Sequence, residues 1–315
     1  MTSSENRLYA PMSRAAFLRL AAAGAAGLAV SGGSLATAAE RIRTRPIPSS
    51  GEALPVIGVG TSRTFDSGSD ADSLKPRAEV LRLLFEAGGS VIDTSPMYGR
   101  AEAVVGTLLN QLDAHDKAFI ATKVWTRGRD AGVGQMRDSM AKMHRRRIEL
   151  MQIHNLVDWR IHLPTLRAWK EEGLIRYIGI THYTTEALEA LAAVIRAEPI
   201  DFVQLAYSIG VRDAENEVLP LAADRGVAVL VNRPYERGAL FQTVADTPLP
   251  GWARALGCAT WAQVFLKFIL SHPAVTCVIP GTRKPKHLSD NVAAGRGRLP
   301  DEAERREIAR RWQEI

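Results

Sequence analysis

The sequence predicts a (β/α)8 barrel, the TIM-barrel class of α/β fold, over residues 55–315. From Pro55 onward, short apolar runs rich in β-branched residues alternate with longer segments of helical period, as in βα units with a parallel sheet. There are eight such runs, which is the strand number of a closed barrel. An open doubly wound sheet would carry a glycine-rich phosphate loop after its first strand, and residues 58–63 lack the third glycine of that loop.

Residues 1–39 have the layout of a signal peptide and are not expected to belong to the barrel. Arginines precede an apolar, alanine-rich stretch at 20–30, and small residues follow at 36–38. Because a transmembrane helix needs about 20 apolar residues, this stretch is too short to span a bilayer. We therefore expect an exported protein without a stable membrane anchor in its mature form.

Within that segment, residues 13–19 (Ser-Arg-Ala-Ala-Phe-Leu-Arg) resemble the twin-arginine export signal, with Ala15 in place of the second arginine. The resemblance implies that export machinery recognises residues 1–39 and that the mature protein is periplasmic or extracellular. If a signal with Ala15 is not used, the protein stays in the cytoplasm. Residues 40–54 contain Pro46, Pro48 and Gly51, and are expected to form a linker or a short hairpin.

The strands and helices of the predicted barrel follow from the apolar periodicity. The strands are 56–60, 90–94, 118–123, 150–154, 177–180, 202–205, 227–231 and 275–279. The helices are 78–87, 101–112, 134–146, 163–172, 185–195, 215–224 and 261–271. Thr184 is expected to cap its helix, and Gly88, Gly173 and Gly226 to end the helices before them.

Composition narrows the class of protein. Hydrophobic residues make up 46% and charged residues 23% of the chain, which is enough apolar surface for a large core. The net charge of +6 is modest and its basic runs are not interleaved with aromatic residues, so no nucleic-acid partner is expected. Cys258 and Cys277 are the only cysteines, and they form either two free thiols or one bridge, but no metal site.

Four polar side chains lie at or just after the ends of neighbouring predicted strands. Asp93 and Tyr98 follow the second strand, Lys123 ends the third and His154 ends the fourth. In a barrel of this class the active site lies at the carboxyl ends of the strands. A carboxylate, a phenol, an ammonium and an imidazole in one place form a proton-transfer site. We expect Lys123 to lower the pKa of Tyr98 by stabilising its phenolate.

The same residues carry a family resemblance. Residues 91–99 (Val-Ile-Asp-Thr-Ser-Pro-Met-Tyr-Gly) resemble the Asp-Thr-Ala-x-x-Tyr-Gly motif of the aldo-keto reductases, with serine for alanine. Residues 121–125 and 151–154 resemble that family's lysine and histidine strands, and the likeness extends from about residue 55 to 291. It implies that Tyr98 is the general acid-base, that Asp93 and Lys123 tune it, and that His154 positions the substrate.

The resemblance also implies a nicotinamide dinucleotide as the hydride source, because a phenol cannot reduce a carbonyl group alone. Thr181 and His182 end the fifth strand where these reductases usually have Ser-Asn, which hold the carboxamide of the nicotinamide. Gln204 matches the glutamine that binds the same amide.

After the seventh strand, residues 231–238 resemble the loop over the cofactor pyrophosphate and include Asn232, Pro234 and Gly238. Asn232 replaces the aromatic ring that normally stacks on the nicotinamide. Weaker cofactor binding is expected unless Tyr207 or Tyr235 supplies a ring instead.

The segment 279–291 after the eighth strand resembles the adenosine end of the cofactor site. Thr282 and Arg283 would bind a 2′-phosphate, and Asp290 and Asn291 would hold the adenine. The grouping of a guanidinium and a hydroxyl favours NADPH over NADH.

The predicted substrate is a small-molecule aldehyde or ketone, or the corresponding alcohol. Phe65, Trp125 and Trp159 follow the first, third and fourth strands and are expected to line an aromatic substrate pocket, with the anchoring of their loops as the alternative role. A competing function is a module that binds or senses nicotinamide with little turnover, which Asn232 and His182 favour. The sequence offers neither metal ligands nor a paired nucleophile and base, so a barrel hydrolase is not supported.

Overall fold

The computed structural model describes residues 41–315. The expected signal peptide lies outside the described residues, and export stays a prediction. Within residues 41–315, no helix has the length and apolar character to cross a membrane.

Eight parallel strands form one sheet in sequence order, which confirms the predicted (β/α)8 barrel. Parallel bridges from Ile57 to Val278 and from Gly60 to Gly281 join the last strand to the first. The barrel strands are β3 (Val59–Gly60), β4 (Val91–Asp93), β5 (Phe119–Val124), β6 (Ile148–His154), β7 (Ile175–Thr181), β8 (Phe202–Ala206), β9 (Ala228–Asn232) and β10 (Val275–Val278).

The helices surround this sheet, and their inner faces form the main apolar core with the outer faces of the strands. They are α1 (Ala71–Glu86), α2 (Ala101–Gln111), α3 (Arg129–Lys142), α4 (Trp159–Glu171), α5 (Leu188–Ala197), α6 (Val218–Asp224), α7 (Ala239–Thr243), α8 (Gly251–Ala255), α9 (Trp261–Ser271), α10 (Pro285–Ala294) and α11 (Glu302–Trp312).

Local hydrogen bonds explain two differences between the predicted and the observed helices, at the start of α1 and at Thr184. Helix α1 begins at Ala71 rather than at residue 78, because the carboxylate of Asp70 caps it by accepting from the Ser73 N–H. The predicted cap at Thr184 does not form. Instead, the N–H of Thr184 donates to Nδ1 of His182 at 3.2 Å.

A hairpin covers the amino-terminal end of the barrel. Its strands, β1 (Thr44–Pro46) and β2 (Ala53–Pro55), pair in antiparallel register. Ile47 and Leu54 are buried with the side chains that fill the barrel interior at this end. This end of the barrel is therefore packed with apolar side chains. The polar residues that end the parallel strands lie at the opposite, carboxyl-terminal end. Both cysteines are free and buried.

One carboxyl group is buried on the outside of the barrel, between α2 and α3. The side chain of Glu102 accepts from the hydroxyls of Thr122 at 2.6 Å and Ser139 at 3.0 Å. Burial raises its pKa, although these two hydroxyls and the ammonium groups of Lys142 and Lys123 oppose that effect. The folded protein therefore binds a proton at Glu102 more tightly than the unfolded chain does.

We predict that Glu102→Gln is more stable than the native protein at pH 8, by about 1 kcal/mol, since the amide avoids the cost of burying an ionised group. A raised folded-state pKa favours folding below the unfolded pKa, and that contribution is lost as pH rises through the folded pKa. The advantage of the variant should therefore shrink as the pH falls toward 4. Urea unfolding at a series of pH values measures it.

The exposed Glu171→Gln on α4 is the matched control and should show no such trend. A Glu102→Gln protein that is less stable than native by the same amount at every pH would contradict the burial argument.

Candidate active site

The four predicted proton-transfer residues come together at the carboxyl-terminal end of the barrel. β4, β5 and β6 are parallel neighbours, so Asp93, Lys123 and His154 lie at the same end of adjacent strands. Tyr98 is reached by a turn in which its N–H donates to the carbonyl of Ser95 at 3.0 Å. The ring centroids of Tyr98 and His154 are 6.0 Å apart in an edge-to-face arrangement.

A buried ion pair lies beneath this site. Nζ of Lys123 is 2.8 Å from Oδ1 of Asp93 and 2.7 Å from the carbonyl oxygen of Thr94, and the lysine side chain is 0% exposed. Burial by itself would lower the pKa of Lys123, but Asp93 and Tyr98 raise it above its usual value. Lys123 therefore stays charged inside the barrel.

Two glutamines hold the second oxygen of Asp93. Nε2 of Gln204 donates to Oδ2 at 2.7 Å, and Nε2 of Gln152 donates to it at 3.2 Å. Gln204 was predicted to bind the nicotinamide amide, yet its amino group is engaged by Asp93. Gln152 could not be identified as a site residue from the sequence, because a single glutamine inside an apolar strand reveals no partner until the neighbouring strands are placed.

The environment of Tyr98 corrects one expectation. Nζ of Lys123 lies 5.1 Å from the centroid of the Tyr98 ring. Burial raises the pKa of Tyr98, and the opposing effect of Lys123 is smaller, so the pKa lies above its usual value rather than below it. The phenol is therefore protonated at neutral pH, which is the form that can donate a proton.

The imidazole of His154 is neutral. Burial, followed by the charges of Lys123 and His182, lowers its pKa to about 2. Nδ1 lies 3.1 Å from Oγ of Ser95. The exposed ring of Trp125 is 6.3 Å from the imidazole, which places that tryptophan at the rim of the site.

The carboxamide-binding residues predicted from the sequence adjoin one another. Oε1 of Gln204 is 3.3 Å from both the hydroxyl of Thr181 and Nδ2 of Asn232. Nδ2 of Asn232 also lies 3.4 Å from the carbonyl oxygen of His182. Its Oδ1 is buried and has no partner among the described residues. An unpartnered amide oxygen is a suitable acceptor for a carboxamide N–H, so this part of the site fits a nicotinamide.

Neither Tyr207 nor Tyr235 supplies the aromatic ring that is missing at Asn232. Tyr207 is wholly buried, and its hydroxyl donates to Glu215 at 2.7 Å. The hydroxyl of Tyr235 donates to Oδ1 of Asn291 at 2.6 Å. Both side chains are thus held away from Asn232 by their own contacts.

Three arginines in the loops at the carboxyl-terminal rim of the barrel were not among the site residues predicted from the sequence. Arg63, Arg233 and Arg237 all have positive φ, and none forms an ion pair with a carboxylate of residues 41–315. The guanidinium of Arg233 lies 4.0 Å from the ring centroid of Tyr183. Burial, followed by Arg237 and Arg63, lowers the pKa of Arg233, which places these charges near one another. Such a group suits an anion, including a pyrophosphate.

The residues predicted for the loop and the adenosine end lie around helices α7 and α10. Pro234 is buried, and Gly238 has a φ of 104°. The hydroxyl of Thr282 accepts from the N–H of Lys284 at 3.0 Å. Arg283 is exposed and close enough to the buried Arg77 to lower the pKa of that arginine, although burial has the larger effect.

Asp290 and Asn291 have partners within the protein. The carboxylate of Asp290 accepts from Thr260 at 2.9 Å and from Gln263 at 2.6 Å, and these contacts join α9 to α10. Asn291 is buried and accepts from Tyr235. Asp290 therefore ties α10 to α9, whereas Asn291 ties α10 to the loop before α7.

The predicted aromatic substrate pocket is only partly formed. Trp125 is 41% exposed at the rim, and the half-buried Trp159 stacks under the guanidinium of Arg160 at 4.3 Å. Phe65 was wrongly assigned to the pocket: it is 0% exposed and packs in the main core. An apolar residue after a strand can turn inward, and the sequence pattern does not distinguish the two orientations.

The described residues contain no group of three or more His, Cys, Asp or Glu side chains that could hold a metal ion.

Known proteins resemble this chain in sequence and in fold. The model of the Aldo/keto reductase family matches residues 56–307. Aldo-keto reductase YhdN of Bacillus subtilis is 28% identical over 202 residues, covering 58% of this chain and 59% of that protein. The NADH-specific methylglyoxal reductase of Escherichia coli is 27% identical over 261 residues, covering 66% of this chain and 78% of that protein.

Among solved structures, an aldo-keto reductase from Klebsiella pneumoniae in complex with NADPH has the same fold. It superposes with a TM-score of 0.72 at 23% identity and covers 86% of this chain and 95% of that chain.

The buried ion pair predicts a specific pattern of stability. Asp93→Asn and Lys123→Met should each lower the free energy of unfolding by about 3 kcal/mol, since each leaves one buried charge without its partner. The double variant should lose less than the sum of the two, because no unpaired charge remains. Urea unfolding followed by tryptophan fluorescence measures all four proteins. Strictly additive losses would show that the two groups do not act as a pair.

Proposed function

The chain belongs to the aldo/keto reductase family, and on that premise we propose that it is an NADP(H)-dependent carbonyl reductase that interconverts an aldehyde or ketone and the corresponding alcohol. The observation that carries the proposal is the placement of a protonated phenol, Tyr98, beside the neutral imidazole of His154 and above the Lys123–Asp93 ion pair.

The proton side of the reaction follows from these residues. Reduction of a carbonyl group needs a proton at its oxygen, and the hydroxyl of Tyr98 donates it. The phenolate that remains is stabilised by the ammonium of Lys123, whose burial limits the screening of that attraction by solvent. Asp93 keeps that ammonium in place and charged. The neutral His154 orients the carbonyl oxygen by a hydrogen bond.

The hydride would come from a bound nicotinamide, which in its reduced form supplies a hydride to the carbonyl carbon. The unpartnered Oδ1 of Asn232 would accept a hydrogen bond from the carboxamide of the nicotinamide. Thr181 and His182 would complete the binding site for that carboxamide. The arginine group Arg63, Arg233 and Arg237 would hold the pyrophosphate.

We favour NADPH as the cofactor, with NADH as the alternative. Arg283 is exposed next to Thr282 and is available to a 2′-phosphate, and one solved relative is bound to NADPH. A curated relative is NADH-specific, so a direct comparison of the two nucleotides is required.

A module that binds nicotinamide with little turnover is the second candidate. The observation that favours it is the absence of a stacking ring at Asn232, since Tyr207 and Tyr235 are held elsewhere. The complete set of proton-transfer residues favours the enzyme.

We predict that Tyr98→Phe lowers kcat/KM for carbonyl reduction by about a thousandfold, because the variant has no acidic proton to donate. Its affinity for NADPH should stay within about twofold of the native value, since an aromatic ring of the same shape remains. The measurement combines reductase assays over a panel of aldehydes and ketones with fluorescence titrations of NADPH and NADH.

Tyr177→Phe is the matched control, because that tyrosine contacts Ser50 of the hairpin at the opposite end of the barrel. Full activity in Tyr98→Phe would overturn the assigned proton donor. If neither nucleotide binds below millimolar concentration, the enzyme proposal fails. Nucleotide binding without turnover of any carbonyl compound would favour the binding module.

A further inference from the structure

Ser95 connects the two residues that face the substrate. It is wholly buried, two residues beyond Asp93, and its carbonyl accepts from the N–H of Tyr98 in the turn that carries the phenol. Its side-chain oxygen lies 3.1 Å from Nδ1 of His154. One residue therefore contacts both Tyr98 and His154 without being one of the four proton-transfer groups.

The Ser95 hydroxyl has one available hydrogen-bond acceptor among the described residues. The N–H of Met97 points to the same oxygen at 3.4 Å, so the oxygen already acts as an acceptor. Among the contacts of the described residues, Nδ1 of His154 is the acceptor left for the O–H. A buried hydroxyl that found no acceptor would lose about 1–3 kcal/mol. The favoured arrangement is therefore Ser95 O–H donating to Nδ1.

This arrangement decides which nitrogen of His154 carries the proton. A neutral imidazole has one N–H, and when Nδ1 accepts a hydrogen bond the proton is on Nε2. Nε2 has no hydrogen-bond partner among the described residues and is not one of the buried atoms that lack one. Within residues 41–315, Nε2 is therefore the ring nitrogen that is left to donate to a ligand.

We propose that Ser95 is a positioning residue that holds His154 as its Nε2–H tautomer, so that the imidazole donates a second hydrogen bond to the carbonyl oxygen protonated by Tyr98. This inference rests on the proposed function for its consequence in catalysis. A carbonyl oxygen has two lone pairs and accepts both donors at once. The opposite tautomer would present a lone pair to that oxygen and repel it.

The tautomer can be read without substrate or nucleotide. In protein labelled with [15N]histidine, two-bond 15N–1H correlation spectra distinguish a protonated from an unprotonated ring nitrogen, and a His154→Gln sample identifies the signals of that ring. We expect Nε2 of His154 to be the protonated nitrogen in the native protein. A native spectrum with the proton on Nδ1 would overturn the proposal by itself, even if no Ser95 variant folds.

Ser95→Ala tests the cause. Without the hydroxyl donor, the His154 nitrogen signals should move toward each other as the two tautomers mix, and kcat should fall about five- to tenfold with the loss of one hydrogen bond. KM and the Kd for NADPH should change by less than about twofold, because the substrate and nucleotide contacts remain. Unchanged nitrogen signals in this variant would show that Ser95 does not set the tautomer.

Ser90→Ala, at the other end of β4, is the matched control and should change neither the His154 signals nor kcat. The spectra test the role of Ser95 even if no carbonyl compound is reduced. A failure of the proposed function and a failure of this inference are therefore distinguishable.

Discussion

The carboxyl-terminal end of the barrel is organised around one buried ammonium group. Lys123 has no contact with solvent, and a charge in that environment requires a close counter-ion. Asp93 on the adjacent strand supplies it, and Gln152 and Gln204 bind the second oxygen of that carboxylate. Strands β4, β5, β6 and β8 thus contribute to a single hydrogen-bonded cluster, and a shift of one residue in any of their registers would break it.

The same charge determines the protonation states around it. Lys123 adds to the effect of burial in keeping His154 neutral, and it opposes the effect of burial on Tyr98 without overcoming it. The result is a phenol that is protonated and a histidine that is uncharged at neutral pH. Both states suit the reduction of a neutral carbonyl group.

Much of this arrangement could be predicted from the sequence. The eight strands follow from apolar runs, and parallel strands bring their ends to one face, so Asp93, Lys123 and His154 could be placed together before any coordinates. Gln152, Ser95 and the rim arginines could not, because their importance depends on which side chains face them across strands and loops. Phe65 was misplaced for a related reason: the pattern after a strand does not say whether a ring turns inward.

We propose that this cluster protonates a carbonyl group while a nicotinamide delivers hydride to its carbon. The most direct measurement uses NADPH carrying deuterium at both C4 positions and follows the alcohol product by mass spectrometry over the carbonyl panel. We expect one deuterium on the carbinol carbon of the product. An alcohol formed without that deuterium would rule out this mechanism, as would the absence of any alcohol from every compound of the panel.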